Sequence, residues 1–142
     1  MQQAIAVARS NPAAPFGTVL VDRRTNSVVM KGLNRATENP IVHGELDAII
    51  RYAAYADPRW QDLLLYTTAE PCCMYQAAIM WAGIPAVVFG TSIATLMELG
   101  WDQFDLRAID VAKSAAFAEC QIVGGILAEQ GDQLFKQAQA IE

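Results

Sequence analysis

The sequence is poor in several things that large protein classes require. It has three cysteines, Cys72, Cys73 and Cys120, an odd and sparse set. That argues against a disulfide framework and for a reducing compartment. No apolar run approaches the ~20 residues of a membrane span. Met1 leads into "MQQAIAVARS" with neither the basic nor the apolar region of a signal peptide, so a cytoplasmic protein is expected. Basic residues are few: Lys and Arg total 10 against 15 Asp and Glu, giving a net charge of −5. The densest basic cluster is "DRR" at 22–24. A protein living on nucleic-acid phosphates carries a basic stripe. A small-molecule partner is expected instead, with no nucleic acid and no membrane. No low-complexity tract or internal repeat is present.

What is present is a core. Hydrophobic residues make up 54% of 142 residues, enough for one globular domain spanning 1–142. The start to Arg9 reads as a short helix stopped by "SNPAAP". "FGTVLVD" (16–22) and "SVVMKGL" (27–33) are β-rich runs around the turn-like "RRTN", an antiparallel hairpin. Leu46, Ile49, Ile50, Ala53 and Ala54 then space as one apolar helical face, closed by Pro58. "LLLYTT" (63–68) reads as a strand covered on both faces, and 72–83 as a helix. "AVVFG" (86–90) and "CQIV" (120–123) are two more buried strands, with Cys120 in the core. "TSIATLMELG" reads as a Thr-capped helix with a glycine stop, "VAKSAAFA" as a helical turn or two. Leu127, Leu134, Phe135 and Ala138 form a final helical stripe. Strands separated by helices make parallel crossovers. The fold class is therefore α/β, with a five-stranded mixed sheet between helices: an N-terminal hairpin, then βαβαβ. Sites in such sheets lie where crossover helices begin.

The only histidine, His43, and Glu45 open the second helix in "HGEL". Cys72 opens the third, directly after a buried strand. Two helix N-termini meeting over one sheet edge favour a thiolate, a hydroxide or a carboxylate. His43 and Glu45 would point about 200° apart on a regular helix, but a pocket over the helix end relaxes that demand. Neutral imidazole and thiolate suit zinc. A carboxylate that is not a ligand can carry protons from water to a leaving nitrogen.

"HGE", with "PCCM" beginning 26 residues after Glu45, resembles the cytidine deaminase-like superfamily of zinc nucleobase deaminases, whose signature is His-x-Glu then Pro-Cys-x-x-Cys. "PFGTVLVD", "NPIVHGE" and "AAIMWAGIPAVVFG" are similar to segments of bacterial guanine and nucleoside deaminases, and the likeness covers nearly the whole chain. The resemblance implies the three-layer α/β/α cytidine deaminase-like fold, a homodimer and one Zn2+ per chain. It implies His43 and Cys72 as zinc ligands and Glu45 as proton shuttle. It implies Asn34 and the Gly44 backbone on the base, Phe16 and Trp81 lining its pocket, and Asp102 near the substrate. The implied reaction is hydrolytic deamination of a nucleobase or nucleoside, guanine or a related purine favoured. Its rivals are a tRNA adenosine deaminase and an impaired or inactive protein on the same fold.

The second rival exists because of Tyr75. The family's third ligand is a cysteine at this position. A phenol, with a pKa of about 10 and an oxygen farther from Cα, cannot copy a Zn–S bond of ~2.3 Å. Three outcomes stay open at the level of sequence: weaker zinc on His43 and Cys72, an empty site, or a rearranged site recruiting Cys73.

Overall fold

The structure is a computed structural model and describes residues 1–55 and 57–141. Its elements are α1 (Gln2–Arg9), β1 (Gly17–Asp22), β2 (Ser27–Leu33), α2 (Gly44–Ala53), β3 (Leu63–Ala69), α3 (Cys73–Ala82), β4 (Ala86–Thr91), α4 (Ile93–Glu98), α5 (Ala108–Ser114), β5 (Gln121–Val123) and α6 (Ala128–Gln139). The five strands form one sheet in the order β2-β1-β3-β4-β5. β1 is antiparallel to both β2 and β3, and β3, β4 and β5 run parallel. The α/β class, the hairpin and the βαβαβ remainder stand as expected.

The helices make two outer layers. α2 packs on β1 and β2 and touches α3, which touches α5. On the other face α1 lies against β1, β2 and β3, and α6 against β4. Leu20, Ala48, Tyr52, Leu63, Leu65, Ile79, Ile84 and Val87 form the core under α2 and α3. Phe16, Ala69, Leu96 and Phe135 form a second cluster toward α4 and α6. Among the described residues no helix is long and apolar enough to cross a membrane.

Four local expectations are corrected. α2 ends at Ala53, before Pro58, and its buried residues are Gly44, Glu45, Asp47, Ala48 and Tyr52. Ile50, expected inside, is 54% exposed. The apolar stripe is rotated away because Glu45, not the aliphatics, faces the sheet. α4 is capped by Ser92, whose hydroxyl accepts from Thr95 N–H at 3.1 Å, since Thr91 is still pairing in β4. β5 is a partly exposed edge strand, paired only to β4. Cys120 lies just outside it and is half-buried against the α2–α3 core.

Gly32 fixes how closely α2 approaches the sheet. A Cβ there would overlap the Gly44 carbonyl oxygen and lie 2.8 Å from the Ala48 Cβ. Both atoms belong to a packed helix, so no flexible side chain can yield. Gly32→Ala is therefore expected to destabilise the protein by roughly 1–3 kcal/mol, the usual range for overpacking. Urea denaturation checks this; an unchanged midpoint would show that α2 shifts freely.

Candidate active site

β1 is antiparallel to β3, so the start of β1 and the end of β3 share one edge of the sheet. Both α2 and α3 begin at that edge. A cavity of about 370 Å³ opens there, within the usual size for small-molecule sites. Phe16 supplies its wall from the start of β1, His43 and Glu45 from α2, and Cys72 and Tyr75 from α3. Asp102, Gln103 and Phe104 close it from the segment after α4.

His43 is the N-cap of α2 and has extended backbone, φ −92° and ψ −177°. Helical spacing does not apply to it, which is how His43 and Glu45 reach one cavity. Its ring lies against Phe16 (centroids 5.8 Å apart) and Tyr75 (5.0 Å). Burial lowers its pKa, so the imidazole is neutral at pH 7. Glu45 is 3% exposed. The Thr67 hydroxyl donates to its Oε1 at 3.0 Å, and the Thr18 hydroxyl donates to Thr67 at 3.3 Å. Burial pushes the Glu45 carboxyl from its ordinary 4.5 up to about 7. Burial also raises the Cys72 thiol, against the opposing pull of the first amides of α3.

Tyr75 is 3% exposed. Its hydroxyl donates to the Ile41 carbonyl at 3.1 Å, tying α3 to the loop that delivers His43. Burial, then the neighbouring Glu45 and Cys72, push its phenol far above the ordinary value. It is a neutral hydrogen-bond donor and not a metal ligand. Catalytic zinc takes three protein ligands and a water. Among the described residues no group of three His, Cys, Asp or Glu is placed to hold a metal ion. The donor set, His43 and Cys72, does not fit a three-ligand zinc centre.

The structure thus brings His43, Glu45, Cys72, Phe16 and Asp102 together. Gly44 lies directly behind them, buried against β1, where a Cβ would stand 2.9 Å from the Phe16 carbonyl oxygen. Asn34 and Trp81 are not among the lining residues. Asn34 turns its own loop: its Oδ1 accepts from Ala36 N–H at 2.8 Å. Trp81 sits in the last turn of α3, 76% exposed and stacked on Phe117 at 4.3 Å. The α3 register that directs Cys72 and Tyr75 to the cavity leaves Trp81 at the far end. Glu70, Met74, Pro40, Gln103 and Phe104 also line the cavity, and none of them is among the site residues expected from the sequence. Only Glu70 carried a signal, a carboxylate following a buried strand.

Residues 1–91 match the family described as the cytidine and deoxycytidylate deaminase zinc-binding region. The chain is similar to a probable cytosine deaminase of Schizosaccharomyces pombe, 31% identical over 102 residues, covering 70% of this chain and 62% of that protein. It is similar to a tRNA-specific adenosine deaminase of Rickettsia bellii, 30% identical over 133 residues, covering 92% and 88%. To the guanine deaminase of Bacillus subtilis it is 36% identical over 101 residues, covering 68% and 63%. The chain spans less than two thirds of the length of the first and third of these. The solved guanine deaminase from Nitrosomonas europaea superposes with a TM-score of 0.80 at 20% identity, covering 98% of this chain and 82% of that one. At that identity the likeness shows the fold.

The raised carboxyl makes stability depend on pH. Unfolded, Glu45 ionises near 4.5; folded, near 7. Between these values the unfolded chain has lost a proton that the folded chain keeps, so stability falls as pH rises through this window and levels off above it. The slope is at most about 1.4 kcal/mol per pH unit. Urea midpoints in chelator-treated protein read it, and Glu45→Gln is expected to flatten the profile; an equal slope in both would place the titration elsewhere.

Proposed function

The chain belongs to the cytidine and deoxycytidylate deaminase family, whose relatives are hydrolases acting on C–N bonds, and we propose that it is a purine-base deaminase impaired at Tyr75. The observation that carries this is the pairing of an intact proton carrier with a broken ligand set. Glu45, at about 7, can both take and release a proton near neutral pH. It sits at the wall of a cavity of about 370 Å³. Phe16 offers an aromatic face to a planar base, and Asp102 an acceptor for ring or exocyclic N–H groups. A purine bearing such donors, guanine above all, suits this lining, and the similarity to a guanine deaminase supports it.

What His43 and Cys72 do not supply is a third protein ligand. Without a firmly held metal the attacking water keeps a high pKa. Base binding and proton transfer are therefore retained while water activation is lost. Cys73 does not repair the set: it starts α3 one residue past Cys72 and is not among the lining residues.

The match along 88% of a tRNA adenosine deaminase favours a second reading, action on RNA. The net charge of −5 opposes it.

Metal analysis and ammonia release from guanine, adenine, cytosine and tRNA test both readings. The natural chain is expected to hold zinc well below stoichiometry and to release ammonia from guanine slowly. Tyr75→Cys is expected to raise both zinc content and guanine turnover by at least about tenfold, the low end of metal-site effects. Stoichiometric zinc with fast turnover in the natural chain would overturn the impairment. A metal-loaded Tyr75→Cys protein acting on tRNA but not on guanine would replace the purine-base reading with the RNA one.

A further inference from the structure

Glu70 is a second buried carboxylate at the cavity, and proton transfer has no use for it. Its side chain is 1% exposed. It lies in the short link between β3 and α3, with its N–H donating to the Thr91 carbonyl at 2.7 Å. Its Oε2 accepts from Ile93 N–H at 2.9 Å, and its Oε1 from Ala108 N–H at 2.9 Å. Arg107 Nε reaches both oxygens, at 2.9 and 3.0 Å. One carboxylate therefore grips the chain at 93 and again at 107–108.

Between those grips runs the outer wall of the cavity. Asp102, Gln103 and Phe104 line it, and Phe104 is 66% exposed. This stretch has little to hold it by itself. From 102 to 106 its one backbone–backbone hydrogen bond among the described residues is Leu106 N–H to the Phe104 carbonyl, at 2.8 Å. On its near side Trp101 is fixed, its N–H on Leu96 O at 2.9 Å and its indole N–H on Phe135 O at 3.2 Å. On its far side the anchor is Glu70.

We propose that Glu70 is a positioning residue for the bound base, acting through Arg107 and Ala108 to set the Asp102–Phe104 wall. This rests on the reading of the cavity as a base site. Glu70 does not touch the reaction. It fixes where Asp102 presents its carboxylate and where the Phe104 ring stands. The neutral amide of glutamine keeps the shape but has one acceptor oxygen in place of two. Its NH₂ would face donors on Ile93, Ala108 or Arg107, leaving one grip unmade.

The test uses Glu70→Gln and Arg107→Ala in the full, chelator-treated chain, with 8-azaguanine as a guanine-shaped probe of binding. Glu70→Gln is expected to weaken 8-azaguanine binding about tenfold or more, as loss of a charge-assisted bond allows. Hydrogen exchange at 102–106 is expected to rise with β1 and β3 unchanged. Arg107→Ala, which leaves both amide bonds, is expected to weaken binding less, with a nearly unchanged thermal midpoint. Faster exchange at 102–106 with unaltered affinity would make Glu70 structural only and overturn the proposal, as would wild-type values of both. Should Glu70→Gln fail to fold, unaltered affinity in Arg107→Ala overturns it. A wild-type chain that binds no purine overturns the base-site reading instead, and exchange at 102–106 still reads the grip of Glu70.

Discussion

The hydrogen bond from Thr67 to Glu45, at 3.0 Å, joins the central strand β3 to the first turn of α2. It fixes the rotation of that helix about its own axis. With Glu45 turned to the sheet, Ala48 and Tyr52 follow it inward at helical spacing. Ile50 goes outward although it is the more apolar residue. A carboxyl in such a place is costly unless it is hydrogen-bonded or protonated. Thr67 supplies the first condition, and the raised pKa supplies the second. The close approach at Gly32 lets α2 sit near enough for the bond to form. A helix that buried its aliphatic stripe would pack more oil and carry no proton group to the cavity.

Tyr75 changes the other helix of the site. At a ligand position a side chain must be small, deprotonated and aimed at a shared point. Tyr75 is large, neutral and bonded to Ile41. The backbone of α3 needs no distortion to carry it: Cys72 remains the N-cap and Gly83, at φ +83°, ends the helix. Tyr75 thus acts as a tether between α3 and the loop before α2. The ring of His43 is packed between Phe16 and Tyr75, so aromatic contacts hold the imidazole.

The order of elements was legible because strands and helices here differ in period and are separated by glycine, proline and polar turns. The corner of the site was legible because its residues are local to two helix starts. Helix rotation was not. Periodicity assumes that the most apolar face is the buried one, and in α2 a buried glutamate reverses it. Trp81 was misread for a related reason: its segment resembles a known one, while its place is set by the register of α3 from Cys73. The long-range grips, Tyr75 on Ile41 and Glu70 on residues 93 and 107–108, were invisible. They join positions with no pattern relating them along the chain.

The two buried carboxylates of the site are both held by the protein's own hydrogen bonds. Glu45 is paired with one hydroxyl, and burial raises its pKa to about 7. Glu70 is bound by two backbone amides and a guanidinium, which together fix its position. The cavity's walls therefore depend on hydrogen bonds within the protein, and they accommodate Tyr75 with the pocket open.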